Sequence, residues 1–154
     1  MESQFAHRAI LAIDYGKKVT GLATYTPEVD PFPLLYGTIP YRSDSELADQ
    51  IRSIAIDENI EIIVLGLPLL TDGQESKMTK IVRVFAQVLA SHLGEDRTIY
   101  LQDETLTSYE ARERMKNSPS FNFKVDENKV DSVAAAIILE DFMQAGFREK
   151  LCKY

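Results

Sequence analysis

Residues 8–21, RAILAIDYGKKVTG, most constrain how this chain can fold. An apolar run stops on Asp14, a short corner Tyr15-Gly16-Lys17-Lys18 follows, and a second apolar run starts at Val19. Two such runs separated by four residues predict an antiparallel hairpin, with strands over 8–14 and 19–26. Burial disfavours the charged form of a carboxylate, so an acid at the end of a buried strand needs a partner. Gly16 beside it permits close approach of another group.

The chain downstream extends this start in a definite order. The segment TPEVDPFP is a turn region, because its prolines and acids do not suit a central strand, and residues 34–39 supply a third strand. Ser43 or Asp44 caps a helix carrying Leu47, Ile51, Ile54 and Ala55 at helical spacing. IEIIVL, 60–65, reads as a strand buried on both faces and ends at Gly66-Leu67-Pro68. The loop 72–75 leads into a helix with the stripe Met78, Ile81, Val82, Phe85, Val88, Leu89 and His92, stopped by Gly94. TIYLQ, 98–102, is a further strand, followed at once by Asp103-Glu104. Thr107 and Glu110 have capping-box spacing, which predicts a helix from Ser108 to about Lys116. Residues 117–127 are polar, contain Pro119 and read as a loop, and a last helix runs from about Asn128 to near Gly146. Residues 1–7 read as a loose leader. Three strands followed by alternating helices and strands predict an α/β fold with a mixed sheet. It combines a three-strand antiparallel meander with parallel strands and has helices on both faces.

Bulk properties narrow the function classes. At 154 residues the chain suits one domain spanning 1–154. No apolar run approaches the roughly 20 residues needed to cross a bilayer, and MESQFAHRAIL does not read as a secretory signal. A lone cysteine, Cys152, excludes an internal disulfide and a cysteine-built zinc site. A cytoplasmic location with no membrane partner is expected. A net charge of −7 argues against sequence-independent nucleic-acid binding through bulk charge, so any such binding must be local. Surplus carboxylates are what a site for Mg²⁺ or Mn²⁺ uses, since hard cations prefer oxygen ligands.

Three acids stand where they can meet. Asp14 ends the first strand, Glu104 lies just past the last strand, and Asp131 sits in the first turn of the last helix. Sites in open α/β sheets form beyond the carboxyl ends of parallel strands, and Ala134, Ala135 and Ala136 let the last helix lie close to the sheet. Three converging carboxylates repel unless a cation sits between them; two Mg²⁺ about 4 Å apart are suited to phosphodiester cleavage. Each acid also has an ordinary reading: a turn-stabilising Asp14, an exposed Glu104, and an Asp131 that favours a helix N-terminus. The residues alone leave both open.

Four motifs choose between them. IDYGKKVTGLA resembles the opening motif of the YqgF (RuvX) family, which has a ribonuclease H-like fold. IIVLGLPLLTDGQES resembles its strand, GLP turn and glycine-containing loop. LQDETLTSYEAR resembles its DER-L-[ST]-T-x-E-A segment, and KVDSVAAAIILEDFM its closing helix. The resemblance runs through nearly the whole chain in order. It implies a ribonuclease H-like mixed sheet and puts Asp14, Glu104 and Asp131 on the family's acidic metal-binding positions, for Mg²⁺ or Mn²⁺. It further implies a phosphodiesterase acting on structured nucleic acid: precursor 16S ribosomal RNA near the ribosomal subunit, or branched DNA as in Holliday-junction resolution. Two positions depart from the pattern. Thr105 stands where the family has an arginine, and Thr24-Tyr25-Thr26 stands where members often have an aspartate.

Lys17, Lys18, Arg112, Lys124 and Lys129 are the candidate nucleic-acid contacts, joined by Arg114 and Lys116. Lys77, Lys80 and Arg83 form a second basic stripe. Tyr15, Phe121 and Phe123 are candidates for stacking on bases, with core packing as the alternative; His92 extends an apolar stripe and reads as structural. A non-catalytic ribosome-binding module and a one-domain relative of the ATP-dependent sugar kinases are the competing classes. Monomer and homodimer both remain open.

Overall fold

The computed structural model describes residues 2–104, 107–145 and 149–151. Its centre is one six-stranded sheet. The first three strands are β1 (Ile10–Asp14), β2 (Val19–Tyr25) and β3 (Leu34–Pro40), joined as the antiparallel meander that the hairpin signal predicts. After α2 (Asp44–Asp57) the chain crosses back to lay β4 (Ile62–Pro68) parallel to β1. After α3 (Lys77–Leu93) it lays β5 (Thr98–Glu104) parallel to β4. Helix α4 (Thr107–Lys116), a 3₁₀ turn (Pro119–Phe121) and helix α5 (Val130–Ala145) follow. A two-residue strand, β6 (Glu149–Lys150), then pairs antiparallel to β5. The strand order is β3-β2-β1-β4-β5-β6.

Side chains alternate across the sheet and supply its two coats. Leu11, Ile13, Ile63, Leu65, Ile99 and Leu101 point to α2 and α3, where Leu47, Ile51, Phe85 and Leu89 meet them. Ile10, Ala12, Ala23, Ile62, Val64 and Tyr100 point to α5, where they meet Ala135, Ile138, Leu139 and Phe142. Helix α4 covers the outside of α5 through Ala111 and Met115 against Val130, Val133 and Ala134. Helices lie on both faces, as the sequence order predicts.

Local signals hold in most places. Ser43 caps α2 by accepting from the Glu46 amide at 3.1 Å, and Ser76 and Thr79 cap α3 reciprocally. Residues 72–75 are the loop expected before α3, a turn in which the Asp72 carboxylate accepts from the Gln74 amide, and the helix itself begins at Lys77. Strands β4 and β5 continue past their predicted ends, so Glu104 is the last residue of its strand rather than a loop acid. The loose leader is a correction. Residues Glu2–Phe5 form a helical turn, α1, and Phe5 is buried against Tyr100 and Phe142, with ring centroids 6.0 and 5.2 Å away. One aromatic residue entering the second core outweighs the polar composition around it. Among the described residues no helix is long and apolar enough to cross a membrane.

Candidate active site

Asp14 is the last residue of β1 and stands on the α5 face, by alternation from Ile10 and Ala12. Its neighbour on one side is Gly21, paired with it across the hairpin. On the other side the β1–β4 register, continued by one residue, puts Gly66 beside it. Two glycines therefore flank the one acid of the strand, and each leaves room that another group fills.

At Gly66 that group is Glu104. A Cβ at Gly66 would sit 3.1 Å from the Glu104 carboxyl carbon and 2.6 Å from Ile138 Cδ1. The Glu104 side chain thus leans inward from β5 across β4 and shares a hydrogen bond with Asp14. At Gly21 the group is the backbone of Asp131, whose carbonyl occupies the space a Cβ would need. Val130 and Asp131 open α5, and Lys129 closes the turn before them by accepting from the Val133 amide at 2.9 Å. The alanine run that follows keeps this helix close to the sheet; Ala134 and Ala135 are fully buried.

Electrostatics match this crowding. Asp14 is only 9% exposed, and its pKa is pushed well above the ordinary carboxylate value. Burial is the first cause, the hydrogen bond and charge of Glu104 the next, and the charge of Asp131 the last. The Asp131 carboxyl is also pushed up, by burial first; Arg112 pulls it down and Glu127 pushes it up. Asp14 and Glu104 are in direct contact, and Asp131 acts on Asp14 through charge. Among the described residues no three acidic, imidazole or thiol groups close on one point tightly enough to hold an ion together. The arrangement is an acid pair with a third acid beside it.

The basic candidates divide into two sets. Lys17, Lys18, Lys124 and Lys129 are exposed, and Lys129 also lies over the Phe121 ring at 5.8 Å. Arg112 is exposed but bound to Glu127 at 3.2 Å. Arg114 and Lys116 pair with Glu140 and Glu113 at 2.8 and 3.1 Å. Arg83, from the second basic stripe, bridges Glu75 and Glu149 at 2.8 Å each. Tyr15 is buried beside Phe85, 4.8 Å between centroids, and its hydroxyl donates to Asp44 at 2.7 Å, so it does not stack on bases. Phe123 is exposed, with φ 58°. His92 contacts Val88 O and Asp49, joining α3 to α2, in line with its structural reading. Thr105 lies outside the described residues.

Two features near the site were not singled out from the sequence. Asp44 accepts from both Tyr15 and Tyr41, at 2.7 and 2.9 Å, and so ties the corner after Asp14 to the start of α2. Gln102 is buried one row below Glu104 on the same face. An amide inside an otherwise apolar strand, two residues before a site acid, was the signal available for the second; nothing local marks the first.

Comparison with known proteins agrees with this architecture. A family described as "RuvX: Holliday junction resolvase" matches residues 8–145. A protein of Maridesulfovibrio salexigens named "Putative pre-16S rRNA nuclease" is 35% identical over 135 residues, covering 87% of this chain and 96% of its own. One of the same name from Thiobacillus denitrificans is 32% identical over 145 residues, covering 94% and 97%. Among solved structures, T. thermophilus RuvC in complex with Holliday junction substrate superposes with a TM-score of 0.61 at 12% identity, over 94% of this chain and all of that one. The RuvC likeness is one of fold, a mixed sheet of the ribonuclease H-like kind. The profile and the curated relatives each cover most of the chain, and on them it belongs to the RuvX family of nucleases, described as Holliday junction resolvases.

Proposed function

We propose that this chain is a divalent-metal-dependent nuclease that matures the 5′ end of precursor 16S ribosomal RNA, working in the cytoplasm on or near the ribosomal subunit. The observation that carries the metal and the catalytic residues is Asp14. It is a buried acid held against a second acid and within the field of a third, and a cation relieves all of its unfavourable terms at once. The donor set fits: carboxylate oxygens are the ligands that hard divalent cations such as Mg²⁺ or Mn²⁺ prefer. Asp14 and Glu104 would hold the ion, and Asp131 would reach it by a rotation of its half-buried side chain.

A bound Mg²⁺ or Mn²⁺ supplies a water of lowered pKa and neutralises charge on the scissile phosphate. The chain does the rest. Burial at the carboxyl ends of β1 and β5 fixes the carboxylates, and the crowded rows at Gly21 and Gly66 keep α5 and Glu104 in register. Lys17, Lys18, Lys124 and Lys129 flank this rim on the loops before β2 and α5 and contact backbone phosphates, with Arg112 available when it leaves Glu127. Such contacts position a substrate without reading its sequence, and the name shared by the curated relatives supports RNA as that substrate.

A second reading is cleavage of a four-way DNA junction, favoured by the family's description. One experiment addresses both: purified protein with Mn²⁺ is offered precursor 16S rRNA and a four-way junction side by side, with Asp14→Asn as control. Cleavage of the RNA by the parent alone supports the proposal, and cleavage of the junction alone supports the second reading. Equal cleavage by parent and variant refutes the assignment of Asp14. No cleavage by either, with RNA binding retained, points to a non-catalytic binding module.

A further inference from the structure

Among the described residues, the buried side-chain oxygen with no hydrogen-bond partner is Gln102 Oε1. The residue is 6% exposed. An unpaired buried acceptor loses its hydration and gains nothing in exchange, so its presence calls for a reason. Gln102 is registered directly opposite Gly66, and Gly66 neighbours Asp14. Tyr100 points toward α5, so by alternation Gln102 and Glu104 do too. Asp14, Gly66 and Gln102 therefore form one row across three strands, all on the site's face, and the middle member has no side chain. Neighbouring strands lie about 4.8 Å apart, which separates the outer two backbones by about 10 Å. The space over Gly66 is shared by Ile138 Cδ1, 2.6 Å from where a Cβ would be, and the Glu104 carboxyl, which thus stands between Asp14 and Gln102 as the oxygen that a cation reaching Gln102 would share. Glu104 enters the same space from above, its Oε2 3.2 Å from where a Gly66 Cβ would be.

We propose that Gln102 is a further member of the metal site: its Oε1 is an acceptor kept open for the cation held by Asp14 and Glu104, or for a water bound to that cation. The proposal rests on the metal-dependent reading above. It accounts for an amide in this row where an apolar side chain would pack better. A neutral oxygen adds a donor without adding to the repulsion that already burdens the acid pair. The orphaned acceptor and the crowded acids are thus two halves of one preparation, each unfavourable in the empty protein and each satisfied by the same ion.

Gln102→Met and Gln102→Glu test it, with Mn²⁺ binding read by calorimetry and thermal unfolding read in chelator. Met keeps the length of the side chain and removes the acceptor. The expected result is a melting temperature in chelator equal to or above the parent's, with Mn²⁺ affinity lowered by about 10-fold or more, the usual scale for a group supporting a metal. Gln102→Glu keeps an oxygen in place and adds charge, and is expected to bind Mn²⁺ at least as tightly as the parent while melting lower in chelator. A Gln102→Met affinity within twofold of the parent's overturns the proposal, as does weaker binding by Gln102→Glu than by Gln102→Met. Failure of the parent itself to bind Mn²⁺ overturns the metal-dependent reading along with it. Tight binding by the parent and an unmoved Gln102→Met leaves that reading standing and removes only Gln102.

Discussion

Asp14→Asn removes one of two contacting acids while keeping the shape of the side chain. In the cation-free parent, Asp14 is out of water, hydrogen-bonded to Glu104 and exposed to the charge of Asp131. Two unit charges about 4 Å apart repel by about 4 kcal/mol at an effective dielectric constant near 20. A proton retained by Asp14 avoids most of that, so burial first and then the hydrogen bond and charge of Glu104 push the Asp14 pKa up. Each unit of rise is worth about 1.4 kcal/mol of linkage. A single stabilising change of this kind commonly returns about 0.5–2 kcal/mol, and for a chain of this size each kcal/mol moves the melting temperature by about 2–4 °C. The pH dependence has a definite sign. Below the ordinary aspartate value of 3.8, folded and unfolded parent both keep the proton, and Asp14 carries no penalty. As pH rises through the higher folded value, the parent loses stability that the variant does not lose. In chelator the two proteins should therefore melt alike near pH 4 and diverge toward neutral pH, the variant being the more stable. Mn²⁺ at about 100 times its Kd should then stabilise the parent by about 2.7 kcal/mol and leave the variant nearly unmoved. The assay is thermal unfolding across pH with and without the ion. A variant less stable than the parent at neutral pH in chelator, or an equal rise with Mn²⁺ in both, refutes the reasoning.

Three further changes probe the supports of the site. Gly21→Ala puts a methyl group into the Asp131 carbonyl, so α5 must shift; a loss of about 1–3 kcal/mol is expected by denaturant unfolding, with weaker Mn²⁺ binding, and an unchanged midpoint would show that the contact yields freely. Tyr15→Phe deletes the 2.7 Å hydrogen bond to Asp44 and leaves Tyr41 as that carboxylate's remaining hydroxyl donor; about 0.5–1.5 kcal/mol should be lost, and no loss would show that Tyr41 alone holds the corner. Reversing Lys124 and Lys129 to Glu should weaken RNA binding and flatten its salt dependence by nearly two phosphate contacts; an unaltered slope in filter binding would place the RNA elsewhere.

The fold was legible because its signals are local and repeated. The hairpin corner, the short apolar runs of β1 and β4 bounded by turn residues and the 3.6-residue stripe of α3 are each local signals. The errors fall where one side chain decides. Phe5 turns a polar leader into a packed turn, and the two residues of β6 carry too little pattern to be seen without the strand they join. The site was legible only in part. Asp14, Glu104 and Asp131 are three among 24 acids, and spacing alone did not choose them; the motif resemblance did. Once the sheet is built, register supplies the reason that periodicity lacked: Gly21 and Gly66 both abut Asp14, and each admits one of the other two. Gln102 stayed hidden for the same cause, since its place in that row depends on pairings across three strands.

Net charge is the property that fits nucleic-acid binding least, and the ion pairs show how the chain reconciles the two. Arg83, Arg112, Arg114 and Lys116 are each matched by a glutamate within 3.2 Å. Exposed pairs of this kind contribute little to stability, but they cancel the local field of the cations they hold. Lys17, Lys18, Lys124 and Lys129 have no such partner among the described residues and are exposed. Two of them follow Asp14 in its own corner, and two precede Asp131 on the approach to α5, whose first turn sits on Gly21. Four exposed lysines without such a partner therefore stand around the rim where Asp14 and Glu104 meet beside Asp131, while Arg52, Lys77, Lys80 and Lys150 are exposed away from it. A screened charge is felt over about 8 Å at physiological salt, so a phosphate backbone arriving at that rim meets the lysines before it meets the distributed excess of −7. On the proposed metal-dependent reading, binding would depend on the order in which charges are met, and a cation between the carboxylates would complete that order by turning the floor of the site from repulsive to attractive.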